Sequence, residues 1–415
     1  MLFFYRLTVN FIFLISPIII IYRIFKKKED PKRFLEKIGK FDKKNTNSNL
    51  IWFHGSSVGE ILSIVPLIEK LEKRKNIKKI LITSNTLSSA KVIKKLKLKK
   101  TFHQFFPLDA EFIVEKFLNH WKPKAVFLIE SEIWPNMIIK IKEKKIPLIL
   151  LNARITKKSF KKWSKVLSFA KKIFNEFDLC LGQNNKTCNY LKILGAKNIK
   201  KIGNLKFSQS RSELKNKQNT KIKKILRNKK IIFSAISTHK GEELFCGKVH
   251  ANLKKKYKNI ISIIIPRHVH RAHEIKQELN ANGLRVHLHT SNKTINSKTD
   301  IYLVDTFGET KSFLKLSKIA FMGKSIYAKG GQNPLEAARL GNRIIHGPNI
   351  ENFIEVYDFL KKQEISTKIK SYKGLENLVF KFDRKKNYSQ QIIKKLSYIG
   401  NQILINNEKE INKYC

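Results

Sequence analysis

Paired cysteines are missing from this chain. Its four cysteines, Cys180, Cys188, Cys246 and Cys415, have neither the close spacing of a zinc site nor the density of a disulfide framework. That argues against structural zinc and fits a reducing compartment. Acidic residues are scarce: Lys and Arg number 85 against 32 Asp and Glu, a formal charge of +53. Such an excess favours an anionic partner, whether nucleic acid, anionic lipid or a phosphorylated substrate. The lysines are scattered, so most of the excess is compositional bias rather than one binding block. Basic motifs interleaved with aromatics are absent, and nucleic acid is not an expected partner. No short-period repeat and no metal-ligand cluster is evident, so neither metal nor cofactor is expected. What the chain does have is apolar content, 42% over 415 residues, enough for two or three globular domains.

Residues 1–25 are the clearest targeting feature. Between Arg6 and Arg23 runs LTVNFIFLISPIIIIY, nearly all apolar. It is shorter than the roughly 20 residues that a full span needs, and Pro17 is expected to interrupt it. Lys26, Lys27, Lys28, Lys32 and Arg33 follow, which predicts a cytoplasmic body. No small-residue cleavage site is evident, so the segment reads as an uncleaved anchor. From Asn49 onward, strand-like and helix-like stretches alternate. Strands are expected at 50–54, 79–84, 125–129, 147–151 and 178–181. A second set is expected at 231–235, 260–265, 286–289, 301–304, 319–322 and 344–346. Continuous apolar runs are what parallel strands covered on both faces require. The lysine-rich stretch 208–230 reads as a linker, and 387–415 as one or two helices. The expected fold is α/β: two Rossmann-like doubly wound domains facing across a cleft. The boundaries are an anchor at 1–25, a first domain at 26–207, a second at 208–395 and a C-terminal helix at 396–415. Ligands in such sheets bind at the carboxyl ends of the strands.

Several strand ends carry chemistry. In WFHGSSVGE (52–60), Glu60 falls in the first turn of a helix, where Ser57 and Glu60 also match a capping box. A helix N-terminus stabilises the ionised carboxylate. A general base there needs burial or a neighbouring carboxylate to raise its basicity. ESEIWPN (130–136) gathers Glu130 and Glu132, which alternation along an extended chain would point to opposite sides. Lys206 in GNLKF could neutralise an anion, and Pro266-Arg267 ends an apolar strand where a guanidinium can grip phosphate. Asp305 to Glu309 ends another. In KGGQNPLE (329–336), two glycines let the backbone approach a ligand. Asn333 fits a helix N-cap, Pro334 the first position and Glu336 the third. The same residues would also make a well-capped helix with no ligand at all.

Together these segments resemble the 3-deoxy-D-manno-octulosonic acid (Kdo) transferases of Gram-negative lipopolysaccharide assembly. WFHGSSVGE, ESEIWPN, LNARIT, GNLKF, STHKGEE, PRH, DTFGE and GGQNPLEAARLG occur in the family's order between about Arg33 and Phe353. The resemblance implies the glycosyltransferase fold called GT-B, a CMP-Kdo donor, a lipid A precursor as acceptor and an anionic inner-membrane surface. It implies that Glu60 is the proton acceptor and that Glu130 and Lys206 stabilise the transition state. It places CMP on Pro266, Arg267, Phe307, Gly308, Glu309, Asn333, Pro334, Leu335 and Glu336. The chain departs from the family pattern at Gln332, where histidine is usual, at Lys240, where glutamate is common, and at Lys324, where glycine is common. A glutamine keeps a hydrogen bond but carries no proton at neutral pH.

Overall fold

The computed structural model describes residues 1–41, 49–96, 98–208, 230–257, 259–292, 295–296, 298–383 and 387–415. The expected linker at 208–230 lies almost entirely outside them. Two compact units are present, Met1–Gln209 with Ile399–Cys415, and Ser210–Tyr398.

The first unit is a parallel sheet of β1 (Leu50–His54), β2 (Lys79–Ser84), β3 (Thr101–Phe105), β4 (Ala125–Ile129), β5 (Leu148–Ala153), β6 (Leu179–Gly182) and β7 (Ile199–Lys201). Its order is β3-β2-β1-β4-β5-β6-β7. Every residue of β1 and β4 is buried. This explains their unbroken apolar runs, since helices cover both faces. Trp52, Phe117 and Trp121 lie in one buried cluster under β1, each contributing roughly 1.5–3 kcal/mol by leaving water. The second unit repeats the plan with β8 (Lys230–Thr238), β9 (Ile260–Pro266), β10 (Val286–Leu288), β11 (Ile301–Leu303), β12 (Ile319–Met322), β13 (Arg343–His346) and β14 (Ser366–Lys368). Its order is β10-β11-β9-β8-β12-β13-β14, again parallel.

In each sheet the chain leaves its first strand, builds one side, then returns to build the other side. The reversal falls between β1 and β4, and between β8 and β12. Loops diverge at such a point and leave space at the carboxyl ends of the strands.

The N-terminal helix spans Leu2–Phe25 without a break, with Pro17 inside it. It is long and apolar enough, by length and composition, to cross a membrane. The expected interruption at Pro17 does not occur. At the other end a single helix, Tyr388–Ile411, passes from the second unit into the first. There Glu408 pairs with Lys70 and Arg74 at 2.7 and 3.0 Å.

Candidate active site

Glu60 enters from the helix Val58–Glu72, which begins directly after β1. Ser57 is the N-cap, its Oγ accepting the Glu60 N–H at 3.3 Å. The Glu60 carboxylate reaches back, accepting the Ser56 N–H at 2.8 Å and the Ser57 hydroxyl at 2.8 Å. The capping arrangement is therefore real, and these bonds favour the ionised form. Burial acts more strongly and pushes the Glu60 carboxyl up to about 7, with repulsion from Glu132 and Glu130 adding to it. The two conditions needed for a base at a helix start, burial and neighbouring carboxylates, are both met.

Those carboxylates come from the loop after β4. Extended alternation would have separated Glu130 from Glu132, but Glu130 is in the left-handed region at φ 59. The turn breaks the period of two and leaves both acids near Glu60. Glu132 Oε2 accepts from His54 Nε2 at 3.0 Å, Ser56 Oγ at 2.8 Å and Trp134 Nε1 at 2.9 Å. Burial opposes its charge, yet these donors, His54 first among them, hold it below the usual carboxylate range. Glu132 is thus a fixed negative charge beside a carboxyl that titrates near neutrality. His54 is fully buried and stacks on Phe106 with centroids 3.6 Å apart. Sequence reasoning left His54, Ser56 and Trp134 without roles. Their signal, polar residues flanking one strand end, becomes legible only once β1 and β4 are known to be neighbours.

Lys206 belongs to the same cluster. Its Nζ lies 2.5 Å from Glu130 Oε1, a charge contact rather than an aligned hydrogen bond. Two of the sequence motifs cooperate to put it there. Asn152, left-handed at φ 53 near the end of β5, accepts the Leu205 N–H at 3.0 Å. Asn204 accepts the Lys206 N–H at 2.8 Å and donates to Gln183 at 3.1 Å.

In the second unit the expected nucleotide-binding residues stand at the carboxyl ends of strands that are close neighbours in the sheet. Pro266 is the last residue of β9, and Arg267 beyond it is exposed. The Phe307–Glu309 turn follows β11, with Phe307 76% exposed and Gly308 at φ 89 with open space around it. Glu309 takes the Thr306 hydroxyl and pairs with His289 at 3.1 Å. After β12 the chain reaches the short helix Leu335–Arg339, whose N-cap is Pro334 rather than Asn333. Asn333 still caps, accepting the Leu335 N–H at 3.1 Å. Glu336 does not close a capping box; it meets Lys311 at 3.3 Å, joining this helix to the one after the Phe307–Glu309 turn.

The glycines are not there simply to bare the backbone. Gly330 and Gly331 are left-handed at φ 111 and 69. Their N–H groups are spent on Glu351 at 2.7 Å and on the Lys324 carbonyl at 3.0 Å. A Cβ on Gly331 would lie 2.9 Å from Ile350 Cα. Close packing against the 349–352 loop therefore requires them. Lys324, where the family favours glycine, is left-handed at φ 57. Its N–H donates to Glu242 at 2.7 Å. That buried carboxylate also receives the N–H groups of His239, Ser325 and Ile326 at 2.8–3.0 Å. It ties the loop after β8 to the loop after β12. Among the described residues, no group of three or more His, Cys, Asp or Glu is placed to hold a metal.

Residues 32–209 match the family model described as 3-deoxy-D-manno-octulosonic-acid transferase (kdotransferase). The chain is similar to the 3-deoxy-D-manno-octulosonic acid transferase of Rickettsia bellii, 34% identical over 88% of this chain and 88% of that one. It is also similar to the transferase of that name from Haemophilus influenzae, 28% identical over 75% of this chain and 73% of that one. In fold it resembles the crystal structure of UDP-GlcNAc 2-epimerase from Neisseria meningitidis. There the TM-score is 0.57 at 15% identity, covering 88% of this chain and 99% of that one, and the likeness is one of fold alone. With two doubly wound units and a carboxylate cluster at the reversal point of the first, the chain belongs to the 3-deoxy-D-manno-octulosonic acid (Kdo) transferase family of glycosyltransferases.

Proposed function

We propose that this enzyme transfers Kdo from CMP-Kdo to a hydroxyl of a lipid A precursor, with inversion, at the cytoplasmic face of the inner membrane. The observation that carries this reading is the Glu60 carboxyl, raised to about 7 beside two further carboxylates. A group that titrates there is half ionised near neutrality, where a general base works best.

In the reaction the acceptor hydroxyl oxygen attacks the anomeric carbon of Kdo from the face opposite the phosphate. The bond from that carbon to the phosphate oxygen breaks and CMP departs with the electron pair. The hydroxyl proton passes to Glu60. Glu130 supplies negative charge as the anomeric carbon develops oxocarbenium character in the transition state, and Lys206, held against it, offsets the charge of the sugar's own carboxylate. Arg267, the Phe307–Glu309 turn and the Asn333–Glu336 segment hold the CMP moiety. Arg267 supplies the charge for its phosphate. The apolar N-terminal helix and the basic body suit a lipid-linked, phosphorylated acceptor at an anionic surface.

Incubation with CMP-Kdo and a tetraacylated lipid A precursor, followed by mass analysis, tests the reading. Expected are acceptor-dependent CMP release and an acceptor heavier by whole Kdo units. CMP release at the same rate with and without acceptor would overturn it.

A further inference from the structure

Lys324 stands at the reversal point of the second sheet, where β8 and β12 lie side by side. A Cβ on Gly323 would fall 2.6 Å from Thr238 Cα, so a glycine lets the two strand ends pass this closely. Lys324 follows that glycine and emerges next to His239. Ligands of doubly wound sheets bind at such a point.

The backbone of Lys324 is fixed, and its ammonium is unused. The buried Glu242 carboxylate holds the Lys324 N–H at 2.7 Å and the His239 N–H at 2.9 Å. The Lys324 carbonyl accepts the Gly331 N–H at 3.0 Å, closing the 324–331 loop at its neck. The lysine stem lies along Gly330, where a Cβ would come 3.6 Å from Lys324 Cε. The residue is half-buried, yet among the described residues no carboxylate is within ion-pair distance of its ammonium. Nearby cations are already matched: Arg271 meets Glu243 and Glu274 at 3.3 Å, and Lys311 meets Glu336 at 3.3 Å. A partly desolvated ammonium with no counter-ion carries a cost that an anionic ligand removes.

Its conformation points the same way. Lys324 is left-handed at φ 57. Lys27, Lys122 and Lys145 are left-handed too, but each lies at or just past the end of a helix and is exposed. Lys324 instead follows a buried strand, at a position where glycine would be unstrained and where the family favours it. Strained residues of this kind gather at ligand sites. Gln332, where the family has histidine, comes directly after Gly331. The chain therefore lacks a titratable cation on one side of the neck and carries a permanent one on the other.

His239 does not supply that charge. Its Nδ1 lies 3.0 Å from the Ser237 carbonyl oxygen. Burial, and less strongly the nearby charges of Lys324 and His268, hold its imidazole below the ordinary value, so it is neutral at neutral pH. A second cation flanks β8 on its other side. Arg267 follows β9, and its N–H donates to the Thr238 carbonyl at 3.0 Å.

We propose that Lys324 is a phosphate-binding residue which, with Arg267 on the opposite side of β8, takes the phosphate of the nucleotide donor at the reversal point of the second sheet. That this phosphate belongs to a CMP-linked sugar rests on the proposed Kdo transfer. When the bond to the sugar breaks, the phosphate gains a negative charge, and a permanent cation beside it stabilises the departing CMP.

The test is titration calorimetry of the full chain in detergent with CMP and cytidine, which differ by the phosphate alone. Wild type is compared with Lys324→Met, Lys324→Arg and Lys329→Met, the last an exposed lysine of the same loop. Expected is that Lys324→Met weakens CMP binding by about 10- to 100-fold, the loss of one charge-assisted contact, and leaves cytidine binding unchanged. Lys324→Arg should retain most of the CMP affinity, and Lys329→Met all of it. Equal CMP affinity in wild type and Lys324→Met would overturn the proposal. So would an equal loss of CMP and cytidine, which would assign Lys324 to loop packing. An equal loss of CMP in Lys329→Met would overturn it as well, assigning the effect to diffuse charge. Uridine monophosphate is titrated alongside. If it binds wild type as tightly as CMP and loses the same factor in Lys324→Met, the phosphate site stands and the cytidine-nucleotide donor falls.

Discussion

Replacing Glu60 by glutamine should cost activity and add stability, and the added stability should depend on pH. In the folded chain the Glu60 carboxyl is displaced from the usual 4.5 to about 7. The folded state binds this proton more tightly than the unfolded state, so its contribution is fully present below about 4.5. It is lost as pH rises through about 7. At 1.36 kcal/mol per pH unit, the interval between 4.5 and about 7 corresponds to about 3 kcal/mol. The side chain is only half-buried, and solvent screens part of this, leaving about 1–2 kcal/mol. Glutamine keeps an acceptor for the Ser56 N–H and offers an N–H donor to the Ser57 hydroxyl oxygen, but carries no charge. Urea unfolding followed at pH 5 and pH 8 should therefore show wild type and Glu60→Gln nearly alike at pH 5. At pH 8 the variant should be more stable by that amount. Equal midpoints at both values, or a wild type that is the more stable at pH 8, would refute the idea that Glu60 is held against its ionisation.

Other substitutions separate the neighbouring roles. Glu132→Gln removes a fixed charge beside Glu60, so the pH at which kcat/KM rises should move lower, as a pH–rate profile will show. Arg267→Ala should raise KM for CMP-Kdo by about 10- to 100-fold with a smaller change in kcat, as expected for one charge-assisted phosphate contact, measured by initial rates at varied donor. Gly331→Ala forces a side chain into a left-handed position against Ile350. It should cost about 1–3 kcal/mol in denaturant unfolding, at 1–2 kcal/mol for the backbone alone.

The sequence showed the middle of each sheet and one edge, β10, expected at 286–289, but hid the other three edges. β1, β4 and β12 are buried on both faces, and their apolar runs were plain. β3, with the polar run TFHQF, and the short β7 and β14 are edge strands. An edge strand needs one partner and is partly exposed, so its residues carry no continuous apolar signal. Site residues were legible as motifs at strand ends, but not as partners. Nothing local says that Glu132 meets His54 or that Asn152 places Lys206. Those contacts depend on β1 lying beside β4 and on left-handed turns at Glu130 and Asn152. The glycine loop at 330–331 was read as open backbone, whereas packing against the 349–352 segment consumes it. A glycine signals a left-handed or crowded position equally well, and sequence does not distinguish the two.

The most direct measurement is the rate of acceptor-dependent CMP release, followed from pH 5.5 to pH 8.5 for wild type and Glu60→Gln. If Glu60 takes the acceptor proton, wild-type kcat/KM rises through about 7. Over the same range the variant is slower by about 10²–10⁴-fold, the usual contribution of a general base, without that rise. A variant that keeps the full rate and the same pH dependence would contradict it.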